Sequence, residues 1–165
     1  VVQEIEPLDK SVHMLSGGVV YFANSFDWSK EERIYSRGAG VRYTLMPFRM
    51  LALRKSSLQD VIGVEFGVFN YKIINNSAIY NVAPMQFTIK YTLLFGDTLG
   101  LFVYGGIENH LVWATGTGAD DNIRVSLASQ QPCGGLGLLF HLVPSWDVRV
   151  DAGIEGFGGG LAVRF

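Results

Sequence analysis

Between Met85 and Phe95 the chain alternates without interruption. Met85, Phe87, Ile89, Tyr91, Leu93 and Phe95 fall on one face, and Gln86, Thr88, Lys90, Thr92 and Leu94 on the other. A side-chain period of two belongs to a β-strand with unlike faces. The 11-residue run matches the roughly 9–11 residues with which a tilted strand crosses a bilayer. A chain built from such runs must become a sheet with one long apolar face.

The pattern recurs along the chain. Ala39, Val41, Tyr43 and Leu45 alternate with Gly38, Gly40, Arg42 and Thr44, and Ile62, Val64, Phe66 and Val68 alternate with Gly63, Glu65, Gly67 and Phe69. Further runs begin at Leu99, Leu136, Trp146 and Leu161, and a weaker one covers Leu15 to Ala23, which predicts eight strands. Tight turns are expected at Gly96-Asp97-Thr98, at Pro144-Ser145 and at Gly156-Phe157. Long polar loops are expected at 24–37, 72–84 and 111–130. The segment 47–60 fits a long turn, a bulged extension of the second strand or a short interfacial helix. Centring the hairpins on Asp97 and Pro144 predicts four pairs: Lys90 with Tyr104, Gln86 with Glu108, His141 with Asp147, and Gly137 with Asp151. A register placing Phe102 beside Gly137 would set Tyr104 beside Gly135.

Composition helps decide which way the apolar face points. The chain is 48% hydrophobic and 17% charged, less charged than the roughly 25% usual in soluble domains. No stretch reaches the roughly 18 uninterrupted apolar residues of a membrane helix. A soluble barrel would turn the apolar face inward and put a heavily charged face in water. The second face here holds glycines, threonines and isolated charges of both signs. Arg42, Lys90, Arg149 and Arg164 stand against Glu65, Glu108, Asp147, Asp151 and Glu155. Thinly spread charges of both signs suit a packed polar interior, where they must pair. The aromatics agree: Phe95, Phe140, Trp146, Phe165 and Tyr43 fall toward the short-turn end, and Phe87, Trp113 and Phe157 toward the other. Two aromatic girdles around an apolar band are expected at two membrane–water interfaces.

The chain ends Gly160-Leu161-Ala162-Val163-Arg164-Phe165. Joined to the alternating strands and the girdles, Leu161, Val163 and Phe165 resemble the C-terminal signal of bacterial outer-membrane barrels. From about Ser11 the chain resembles a small eight-stranded outer-membrane barrel of the outer-membrane-protein-A or outer-membrane-protein-X type. The resemblance implies an all-β, antiparallel, up-and-down transmembrane barrel in a Gram-negative outer membrane, forming a single domain over 1–165. It implies periplasmic termini, with 1–11 a periplasmic segment, and long loops outside the cell. Its partners would be outer-membrane lipid, lipopolysaccharide, the barrel assembly machinery through the last strand, and an extracellular partner at the loops. The N-terminus lacks a basic and then apolar leader, as fits a chain never exported or one whose signal peptide has been removed.

Eight strands leave a lumen that side chains just fill. The expected role of Arg42, Glu65, Lys90, Glu108, Arg149, Asp151, Glu155 and Arg164 is therefore a charge network that largely closes it; a narrow porin-like pore is the alternative. His141 and Asp147 are a candidate pH-sensitive pair. A lipid hydrolase would need a serine, a histidine and an orienting carboxylate. Glu108, His110 and Ser129 are the candidate set, but no His-x-Ser pairing is present and no enzyme is expected. Asp120-Asp121 does not match the calcium-loop spacing. The single cysteine, Cys133, excludes an intramolecular disulfide. No cofactor or metal is expected. Scattered Lys and Arg, with a net charge of −2, point away from nucleic acid, and a monomer is expected. The charged loop Asp27 to Arg33 carries an exposed Trp28 suited to surface contact.

Overall fold

The computed structural model of the protein describes residues 5–27, 32–55, 58–75, 78–96, 98–115, 124 and 127–165, with the backbone alone described for 5–11, 23–27, 32–35, 49–55 and 75. Eight strands follow one another: β1 (Ile5–Asp27), β2 (Glu32–Lys55), β3 (Leu58–Asn75), β4 (Ala78–Phe95), β5 (Leu99–Thr115), β6 (Gln130–Val143), β7 (Trp146–Gly153) and β8 (Gly156–Arg164). Each pairs antiparallel with the next, and β8 returns to β1, so the sheet closes into a barrel. The closing seam runs from Met14↔Arg164 to Phe22↔Gly156. Reciprocal backbone hydrogen bonds of 3.2 and 3.0 Å between His13 and Phe165 lengthen it by one pair.

All the expected registers are present. Lys90 faces Tyr104 and Gln86 faces Glu108; Phe102 faces Gly137 and Tyr104 faces Gly135; His141 faces Asp147 and Gly137 faces Asp151. Position 137 requires glycine, because a Cβ there would run into the Phe102 ring and stand 2.8 Å from the Asp151 Cβ. Gly96 holds the tight turn before β5 in a left-handed conformation, φ 58°, which glycine adopts at no steric cost. Outward residues such as Val41, Ile89, Val103, Leu136 and Leu161 are exposed, whereas Lys90, Glu108, Asp147 and Arg149 are buried. This inverts a soluble protein's arrangement and is what a lipid surround demands.

Several boundaries differ from expectation. The stretches 24–37 and 72–84 are strand for most of their length, since β1 reaches Asp27, β2 begins at Glu32, β3 reaches Asn75 and β4 begins at Ala78. The third connection is shortened to the residues between Thr115 and Gln130. The period of two persists through these extensions, but the inner face turns apolar and the outer face becomes mixed, with Ile74 and Trp113 exposed beside the polar residues. Beyond Val68 the inward residues are Phe69 and Tyr71, buried, while outward Asn70 and Lys72 are exposed. With Val20, Phe22 and Val82, Phe69 and Tyr71 form an apolar core inside this part of the wall. Polar outward residues therefore read as loop in the sequence although the backbone stays in the ladder.

The segment 47–60 is the bulged extension of the second strand: register shifts fall between Leu45 and Phe48 and between Met50 and Lys55, and β3 begins at Leu58. Within the N-terminal segment, Ile5, Glu6 and Pro7 belong to β1 and pair with Met50, Arg49 and Phe48 before a bulge. The last hairpin turns at Ile154-Glu155, two residues earlier than expected, with Gly156 and Phe157 already in β8.

Candidate functional site: a braced lumen

Three polar groups occupy the lumen at successive levels. At the centre, Arg149 on β7 directs Nη1 and Nη2 onto the two carboxylate oxygens of Glu65 on β3, at 2.5 and 2.9 Å. Its Nε donates to Asp151 at 2.9 Å. β3 and β7 are four strands apart in a ring of eight, so this bridge crosses the full diameter. Arg42 on β2 places Nη1 and Nη2 on Asp151 at 3.2 and 3.0 Å. Thr44 donates to Glu65 at 2.6 Å, and Lys90 Nζ stands 3.5 Å from the same carboxylate. Phe102 packs against this cluster, with Lys90 Nζ 3.9 Å and the Arg149 guanidinium 4.9 Å from its ring centroid. Cations over a desolvated aromatic face are stabilised by its quadrupole.

Toward the long-connection end, Glu108 accepts from Gln86 at 2.5 Å, from Gln131 at 3.1 Å and from His110 Nε2. Nδ1 of His110 lies 3.3 Å from the Leu127 carbonyl oxygen. Neither ring contact is with Ser129, which meets His110 through its backbone carbonyl, 3.0 Å from the His110 amide nitrogen. The serine–histidine–carboxylate chain that a hydrolase needs is not assembled. Glu155, in the β7–β8 turn, accepts from Tyr104 at 2.5 Å and from the Gly134 amide at 3.1 Å. Burial pushes its carboxyl above the ordinary range, against the downward pull of those hydrogen bonds.

At the short-turn end, His141 Nδ1 is 2.6 Å from Asp147 Oδ1, and Arg164 Nε is 3.0 Å from Asp147 Oδ2. The eight charges treated as one network in the sequence are therefore divided. Arg42, Glu65, Lys90, Arg149 and Asp151 lie together; Glu108 and Glu155 have uncharged or histidine partners; Arg164 joins His141 and Asp147. The sequence reading placed Gln86 opposite Glu108 but missed Thr44 and Gln131 as polar partners, and Tyr104 as the partner of Glu155. Each sits on the inward parity of its strand, so the alternation itself was the signal.

On the outer wall, Phe87, Phe95, Trp113, Phe140, Trp146, Phe157 and Phe165 are all exposed. Phe87 precedes Phe95, and Phe157 precedes Phe165, by eight residues, about 20 Å along the barrel axis for a strand tilted by about 40°. Tyr21, stacked on Phe157 at 5.0 Å between centroids, and Phe66, paired with Phe87, complete that upper ring; both were missed. Trp113 pairs with Asn81, six residues beyond Phe87 on β4, and stands well above it. At the lower ring His13, also missed, hydrogen-bonds Tyr43 Oη at 2.6 Å and stacks on Phe165. Leu161 and Phe165 are exposed and Val163 half-buried on the outer face of β8. Asp120, Asp121 and Trp28 to Glu31 lie outside the described residues. Among the described residues no group of three or more His, Cys, Asp or Glu could hold a metal ion, and Cys133 is buried and free.

No protein-family model matches the chain, and no curated protein matches it in sequence. Solved structures do match in fold. The crystal structure of Ail, the attachment invasion locus protein of Yersinia pestis, is 13% identical with a TM-score of 0.54, covering 94% of this chain and 99% of that one. Ail in complex with the heparin analogue sucrose octasulfate is 11% identical with a TM-score of 0.58, over 94% and 99% of the two chains. The backbone structure of Ail in a phospholipid bilayer nanodisc is 11% identical with a TM-score of 0.50, over 95% and 100%. The fold is that of an eight-stranded, antiparallel outer-membrane β-barrel.

Proposed function

We propose that this chain is a single-domain integral protein of a Gram-negative outer membrane, with a lumen braced shut and a role in contact at the cell surface. The observation that carries the closed lumen is Arg149: it is buried, it spans the diameter to Glu65, and all three of its guanidinium nitrogens are hydrogen-bonded. No solute passes without breaking that bridge. Planar-bilayer recordings on the refolded protein test it. The expected result is no steady conductance; steady channels whose conductance changes in Glu108→Ala or Arg149→Ala would make it a narrow pore instead. The contacts of His110, neither of them to a serine, support a non-enzymatic role, and release of fatty acid from lipid A or phospholipid that is lost in His110→Ala would overturn it.

Surface contact is supported by the height of the wall. β1 to β5 have 17–24 residues, well beyond the roughly 9–11 that cross a bilayer. β1 and β2 run on past the short-turn end as well, where Ile5, Glu6 and Pro7 pair with Met50, Arg49 and Phe48. In β3, β4 and β5 the excess stands at the end away from the short turns, where Asn70, Lys72 and Asn81 join the outward face. Arg37 and Lys72 are exposed there, each next to a residue of the Gly38↔Tyr71 pair, so two cations share one level of the outer wall. Given the sulfated ligand of the Ail complex, a sulfated saccharide is the first probe: retention on immobilised heparin, competed by sucrose octasulfate and weakened in Arg37→Gln with Lys72→Gln, is the expected outcome. In this reading the termini are periplasmic, the protein is a monomer, and Leu161, Val163 and Phe165 engage the assembly machinery.

A further inference from the structure

Between Arg42, Arg149 and the seam of β1 with β8 lies a cavity of about 10 Å³, room for about one particle the size of a water molecule. Its charged lining is the two arginines; beside them are the Ser16 side chain, the Phe69 ring and the chain at Gly18 and Gly160. Neither Glu65 nor Asp151 lines it. The glycines matter, because a Cβ on Gly18 or Gly160 would run into the backbone of the opposite strand.

The central cluster is unbalanced. Among the described residues it brings three cations, Arg42, Lys90 and Arg149, to two carboxylates, Glu65 and Asp151. A positive charge left over in a poorly polarisable interior is costly without a counter-charge. One donor is spare and a second is only weakly used. Arg42 Nε is buried with no hydrogen-bond acceptor, its nearest carboxylate oxygen being 3.7 Å away on Glu65. The Ser16 hydroxyl reaches the Arg42 carbonyl oxygen at the long distance of 3.5 Å.

We propose that this cavity binds one small inorganic anion, chloride being the physiological case. Arg42 and Ser16 supply the hydrogen bonds, and Arg149, whose own nitrogens are occupied, supplies charge. A water molecule would fill the same space and leave the excess charge uncompensated. Sulfate and phosphate are too large for it.

Bromide is the probe. Crystals of the refolded protein grown with sodium bromide should show one anomalous peak between Arg42, Arg149 and Ser16. In solution the folded protein should broaden the bromide-81 resonance beyond an equal amount of unfolded protein. Ser16→Val fills the cavity without touching an ion pair, so the peak and the excess broadening should both vanish while heat-modifiable gel migration persists. Ordinary water density without anomalous signal would overturn the proposal, as would undiminished broadening in a folded Ser16→Val. Should that variant not fold, Ser16→Ala keeps the space and removes one charge-assisted hydrogen bond, so bromide should bind about tenfold more weakly; unchanged affinity overturns the proposal equally.

Discussion

The lower and upper parts of this wall fill the same ladder differently. From the short turns to the level of Phe66 and Phe87, apolar side chains face outward and charges face inward. Above it, Phe22, Phe69, Tyr71 and Val82 turn inward while Asn70 and Lys72 face out. Strand, register and side-chain parity do not change at the boundary; the surrounding medium does. Lipid cannot solvate a polar group, so the lower half buries its charges and must pair them. In the upper part the outward face mixes Asn70 and Lys72 with Ile74 and Trp113, and an apolar core fills the inside.

The largest test of this contrast is Arg149→Ala, which leaves Glu65 and Asp151 without their shared partner at the lumen centre. It should cost about 3–5 kcal/mol, read from urea unfolding in lipid vesicles; replacing Glu65 with Leu and both Lys90 and Arg149 with Met, which leaves the Arg42–Asp151 pair intact, should restore most of the loss. A cost below about 1 kcal/mol for the single variant would mean that the cross-lumen bridge does not hold the lower half together.

In the upper half Phe69→Ala should cost about 3 kcal/mol. Amide exchange should accelerate above Val68 while the lower strands stay protected. Uniform acceleration along the barrel would show that the two halves unfold as one unit.

Outward charges separate the halves from the other side. Ile89→Arg, in the apolar band, should cost about 2 kcal/mol, whereas Asn70→Arg should stay within about 0.5 kcal/mol. Equal costs would place the membrane boundary elsewhere.

The smallest effect concerns Glu155, whose folded carboxyl titrates above its unfolded value. Such a group contributes stability that is complete below the unfolded carboxylate range, near pH 4.3, and is lost as pH rises through the folded value. Glu155→Gln keeps an acceptor for Tyr104 and Gly134 and should flatten that decline in unfolding titrations. A decline that is unchanged in the variant would assign it to other groups.

The lower half was legible in the sequence because its two faces differ as strongly as side chains can, from Ile89 and Tyr91 on one side to Lys90 on the other. Hairpin geometry then gave the pairs across the Gly96 and Pro144 turns. The upper half was read as loops because Asn70, Lys72 and Asn81 are the residues water permits on an outer strand face, and loops use the same residues. The site was legible in part. Parity alone sent Arg42, Glu65, Lys90, Arg149 and Asp151 inward, but it could not partition eight charges among partners. Arg164 follows the same parity as Glu155, yet its partner is Asp147 at the opposite end.

The sequence by itself determined the strand period, the inward face, the count of strands and the local hairpin registers, because each depends on neighbours within one turn. Tertiary structure decided what bridges the lumen. That Arg149 meets Glu65, 84 residues away in sequence, follows from ring closure and from the offset accumulated between successive strands, and no local pattern encodes either. Closure also sets Arg42 and Arg149 beside the Gly18–Gly160 seam, and with them the small cationic cavity. Pairwise alternation specifies a sheet, but only the closed ring brings opposite walls within reach of a hydrogen bond.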